Sequence, residues 1–162
     1  MAQAYPLQAL LDVRHFREEA ARNEARAAER SHREALELVR QQQAELERYR
    51  QWRPEEESRR YAAIMGKPMS MEAMSAFRTG LTALAEGEAE RERALAEADK
   101  QAELKEQALL AARQTVGAAR KEAAKIEAHQ EIWWAEEKNA AQRQEDLELE
   151  EFKAPAAQSD ES

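Results

Sequence analysis

The chain has 162 residues, of which 36% are charged and 43% hydrophobic, with only three Phe, three Tyr and three Trp and a formal net charge of −8. Much of the hydrophobic share is alanine, which buries little area, so a broad core is excluded and a narrow helix–helix seam is what the composition can line. The acidity is concentrated: residues 131–162 hold three bases and ten acids, and an end of that sign repels phosphate backbones and excludes nucleic acid as a partner.

The absence of cysteine removes disulfides, thiolate chemistry and cysteine metal sites, and suits a reducing compartment. No stretch approaches about 18 consecutive apolar residues, so no membrane span or direct membrane insertion is expected. The start, Met1 to Leu7, has no basic region followed by an apolar run, and no cleaved secretory signal is expected.

Pro6 suits the first turn of a helix, where its missing N–H goes unused. From Leu7 a seven-residue pattern runs forward in two rows. One is Leu7, Arg14, Ala21, Ala28, Ala35, Gln42 and Tyr49; the other is Leu11, Glu18, Ala25, His32, Val39 and Leu46. Alanines in its middle allow close approach of a partner backbone. Pro54 removes one helical hydrogen bond and restricts Arg53, which predicts a kink or short break there, and Glu55 to Glu57 suit a new first turn. The segment Met65-Gly66-Lys67-Pro68-Met69-Ser70 is the clearest interruption. Gly66 can close a helix in the left-handed conformation, Pro68 blocks continuation, and Ser70 can cap the next helix.

The second helix carries the stronger repeat. One row is Met74, Leu81, Glu88, Leu95, Ala102, Leu109, Val116, Ala123, Gln130, Glu137, Gln144 and Glu151. The interleaved row is Phe77, Leu84, Arg91, Ala98, Lys105, Ala112, Ala119, Ile126, Trp133, Ala140 and Leu147. Sixteen of these 23 positions are apolar, and no proline interrupts them. A 3.5-residue repeat keeps one stripe toward one partner and implies a left-handed supercoil. Gly80, Gly87 and Gly117 weaken this helix by roughly 1 kcal/mol each without ending it.

The predicted fold is therefore all-α: two long helices in an antiparallel coiled-coil hairpin over residues 1–153. Helix one spans about 7–65, the turn 66–70 and helix two about 71–152, followed by a disordered C-terminal tail over 154–162. At 1.5 Å per residue helix two would be on the order of 120 Å long. Pairing outward from the turn sets Leu7 opposite roughly His129 and leaves the end of helix two unpaired.

Nothing in the sequence supports catalysis, a cofactor or a metal. His15, His32 and His129 have no metal-binding spacing, the carboxylates of an exposed helix pair lack the pocket that would perturb them, and Gly66-Lys67 lacks the rest of a phosphate loop. Two regions stand out instead. Met65, Met69, Met71 and Met74, with Phe77 and Leu81 nearby, crowd the turn, where flexible side chains either seal the apex or form an adaptable binding tip. At the other end, Trp133 lies on the seam and is expected to pack near Tyr5 and Leu7. Trp134 lies off it and suits a partner. Leu147, Leu149 and Phe152 sit among acids in a segment resembling a docking motif.

These residues also resemble a family. Tyr5-Pro6-Leu7 with Leu10-Leu11-Asp12-Val13-Arg14, Trp52-Arg53-Pro54-Glu55-Glu56, the Gly66-Lys67 turn and the ending Glu145-Asp146-Leu147-Glu148-Leu149-Glu150-Glu151-Phe152-Lys153 are similar to the YscO/SctO-type central stalk proteins of type III secretion, relatives of the flagellar FliJ stalk. The resemblance implies a cytoplasmic protein, peripheral to the inner-membrane export apparatus. Such a protein enters the secretion ATPase hexamer, links it to the cytoplasmic domain of the export gate, promotes ATPase assembly or activity, and binds some secretion chaperones. It implies an ATPase-binding end made of Tyr5, Leu7, Leu11, Trp133, Trp134, Leu147 and Phe152. It also implies a gate-binding tip of Met65, Met69, Met71, Met74, Phe77 and Leu81. A coiled-coil secretion chaperone or escort, and a homo-oligomeric scaffold with no motor partner, are the competing readings.

Overall fold

The computed structural model describes residues 3–159, with side chains through Lys153. It contains two helices, α1 (Gln8–Ile64, 57 residues) and α2 (Met71–Ser159, 89 residues), and no strand among the described residues. The fold is the all-α antiparallel coiled-coil hairpin. It divides into two compact units, one joining residues 24–112 around the turn and one joining residues 1–23 to 113–162.

The turn-bearing unit forms as its sequence dictates. α1 ends at Ile64, Gly66 takes φ = 75°, and the Lys67 N–H donates to Ile64 O at 3.2 Å. A side chain there would meet no atom within 4 Å, so the glycine is required by its left-handed backbone and not by space. Ser70 then caps α2: its Oγ accepts from the Ala73 N–H at 3.1 Å, and its carbonyl accepts from Met74 N at 3.0 Å. Glu72 adds a carboxylate at the positive end of the helix dipole. Leu46, Leu84, Ala98, Ala102 and Leu109 are the buried apolar groups of this unit.

The helix is unbroken at Pro54, where the sequence predicts a kink or short break. The residues before it are held both within α1 and across the seam. The Tyr49 hydroxyl donates to Leu84 O at 2.7 Å, and Arg53 donates to Glu57 at 2.8 Å and Glu88 at 2.7 Å. Pro54 itself is exposed, so water can reach the carbonyl whose helical partner it deletes.

In the terminal unit, Tyr5, Leu11, Ala21 and Ala123 are buried. Tyr5 precedes α1 in a turn closed by the Gln8 N–H on Tyr5 O at 3.2 Å. Cross-helix polar contacts set the pairing: Arg14 with Glu122 at 3.5 Å, His15 with Glu127 at 2.6 Å, and Gln130 with Gln8 at 3.2 Å. Helix α2 continues to Ser159, beyond the expected end near 152: Ala154, Ala156 and Ala157 favour helix there, whereas Pro155 does not. The tail expected over 154–162 falls on residues whose side chains are not described, and its last three lie outside the described residues.

The predicted seam is the seam observed. Every row position of α1 from Leu11 to Tyr49 is buried or half-buried, as is every row position of α2 from Phe77 to Glu137 except Lys105. Beyond it, Ala140, Gln144, Leu147 and Glu151 are all exposed, since no residue of α1 remains to cover them.

Candidate functional site

Around the turn, the seam closes on the edge-to-face pair of Tyr61 and Phe77, with ring centroids 5.0 Å apart. Phe77, Leu81, Ile64 and Met69 are half-buried, whereas Met65 is 75% and Met71 88% exposed; Met74 sits on the rim. The six residues singled out from sequence thus separate into a sealing set and a set of methionines turned to solvent. Between Tyr61 and Phe77 the only charged residues are Lys67 and Glu72, in a chain that is 36% charged. The apex is a sparsely charged surface with no net charge, dominated by flexible methionines.

Further from the turn lies an aromatic groove that the sequence reading does not single out. Tyr49, Trp52, Arg48, Glu45 and Arg91 line it. The Arg91 guanidinium lies 4.1 Å above the Tyr49 ring and donates to Gly87 O, while Trp52 tilts against Tyr49 at 5.4 Å. Gly87 leaves room for this stack: a Cβ there would come within 2.5 Å of the Tyr49 hydroxyl.

In the terminal unit, Tyr5 is 4% exposed, and its hydroxyl shares a 2.6 Å hydrogen bond with His129 Nδ1. Its ring meets Trp133 edge-on at 5.5 Å, and Trp133 meets Trp134 edge-on at 4.9 Å. Of the seven residues assigned to this end, Tyr5 and Leu11 are buried and Trp133 is half-buried. Trp134, Leu147 and Phe152 are exposed, and Leu7 stands at the boundary. The structure adds exposed Val13, Phe16 and Ile132 in the same unit, and leaves Leu149 of the acidic segment exposed as well. Their signal in the sequence is that each is a large apolar residue off the seven-residue rows.

The electrostatics are those of a solvated surface. Arg40 holds the Glu37 carboxyl below the usual carboxylate range, Arg59 and Arg60 do so for Glu56, and Lys125 does so for Glu122. Among the described residues no group of three His, Asp or Glu side chains is placed to hold a metal, and no helix is long and apolar enough to cross a membrane.

Residues 7–155 match the family model of the type III secretion protein YscO. The chain belongs to the YscO family. Its role is therefore in type III secretion. Among solved structures, the type III secretion protein YscO from Vibrio parahaemolyticus is similar at 27% identity and a TM-score of 0.82, over 90% of this chain and 92% of that one. A chain described as a YscO homolog from Chlamydia trachomatis shares the fold at 20% identity and a TM-score of 0.76, over 96% of both chains. No curated protein matches the chain.

Proposed function

We propose that this YscO-family chain is the cytoplasmic stalk of its secretion system, peripheral to the inner-membrane export apparatus. Its terminal unit inserts into the secretion ATPase hexamer. Its methionine turn bears on the cytoplasmic domain of the export gate, promoting ATPase assembly or activity and protein export, with secretion chaperones as further partners. The observation that carries this reading is the uncovered stretch of α2 after Glu137, where Leu147, Leu149 and Phe152 are 54%, 58% and 85% exposed. Large apolar groups left in water on a helix with no α1 residue opposite mark a surface that a partner covers. The acids interspersed among them repel a second copy of the same segment, which disfavours the scaffold reading.

Acidic groups steer the segment toward basic residues lining a pore, and salt screens that steering. Pull-down of the purified ATPase by the full chain at rising ionic strength tests the reading. Capture that weakens steeply with salt supports it, and no capture at low salt rejects it. The tip is tested separately by Met71→Ala with Met74→Ala and Phe77→Ala. Gate binding should fall while helicity is kept. Unchanged gate binding with an intact fold rejects the tip, and melting of the turn-bearing unit identifies the cluster as core only.

A further inference from the structure

Adjacent helical residues diverge around the axis and do not face one another, so an edge-to-face contact between Trp133 and Trp134 requires one ring to be held aside. Tyr5 is placed to do this. The turn before α1 delivers it into the seam at 4% exposure; its hydroxyl is tied to His129, one turn before Trp133, and its ring abuts Trp133. Trp133 in turn fixes Trp134, which stays 43% exposed. We propose that Tyr5 is a positioning residue: a latch from the segment before α1 that orders the Trp133–Trp134 pair and so presents the Trp134 indole to whatever the terminal unit binds. The proposal rests on the ATPase-binding role given above for what is bound, and on geometry alone for the latch. A buried aromatic that orders a neighbouring exposed one removes rotamer freedom before binding, which is how preorganisation raises affinity.

Two close indoles produce an exciton couplet in the far-ultraviolet circular dichroism spectrum, a signature that simple loss of helix does not mimic. In a Trp52→Phe background, where Trp133 and Trp134 are the only indoles, the couplet should be strong. It should persist in Tyr5→Phe, which keeps the ring against Trp133, and collapse in Tyr5→Ala with the helical signal at 222 nm retained. In ATP-turnover assays with the purified hexamer, the chain concentration giving half-maximal stimulation should rise roughly tenfold for Tyr5→Ala and stay near the parent value for Tyr5→Phe. Should Tyr5→Ala unfold the terminal unit, Tyr5→Leu fills the site without a ring and carries the same comparison. An unchanged couplet without the Tyr5 ring overturns the proposal. So does a lost couplet with no change in half-stimulating concentration. If the parent chain itself fails to stimulate, the ATPase reading fails, and the spectrum alone still decides whether Tyr5 orders the pair.

Discussion

Gly87 and Gly117 are alike in sequence and opposite in structure. Each costs a helix interior roughly 1 kcal/mol relative to alanine. A Cβ at Gly117 meets nothing within 4 Å, so Gly117→Ala should stabilise by about 1 kcal/mol. A Cβ at Gly87 would press on the rigid Tyr49 ring, displacing it from Leu84 O and from beneath Arg91. Gly87→Ala should therefore lose about 1 kcal/mol net, despite better propensity. Urea unfolding of the two variants checks both signs. The depressed carboxyl of Glu56 gives a pH test. Its folded-state pKa lies below the unfolded one, so its contribution is present above the ordinary carboxylate value of about 4.3 and is lost as pH falls through the folded value. The melting temperatures of Glu56→Gln and the parent should differ slightly at neutral pH and converge as the pH falls through the lowered folded-state value.

At the scale of the helices, Pro54 and Ser70 carry the predictions. Pro54 lies exposed inside a continuous α1, so Pro54→Ala restores a backbone donor without disturbing the seam. It should raise stability by about 1–3 kcal/mol. Ser70→Ala removes the cap of α2 and should cost about 1 kcal/mol. Thermal melts of the two variants should move in opposite directions. The turn and cap were legible because Gly, Pro and Ser act locally. The seam was legible because a 3.5-residue spacing leaves one geometric solution, and burial follows those rows from Leu11 to Tyr49 and, Lys105 apart, from Phe77 to Glu137. The continuity through Pro54 was not legible, since it depends on Tyr49 and Arg53 gripping residues about 35 positions away. The reason for Gly87 was hidden in the same way: a helical glycine reads as a weakness until the tyrosine lying over it is known.

For the whole molecule, the candidate site was half legible. The sequence marks Trp133 and Trp134 as a pair with two fates, and the structure turns Trp133 toward Tyr5 and leaves Trp134 uncovered. It does not mark Phe16 or Ile132, whose exposure follows from which face α1 and α2 share. Leu11 is buried in the seam of the terminal unit, so replacing it would confuse folding with binding. The decisive variant therefore changes only exposed groups: Trp134→Ala, Leu147→Ala and Phe152→Ala together. The measurement is ATP turnover by the purified secretion ATPase hexamer with parent or variant chain added at equal concentration. The account predicts that the parent stimulates turnover and that the variant, equally helical and still bound by the export gate, does not. Equal stimulation by the two chains would contradict it and show that the terminal unit is not the motor-facing end.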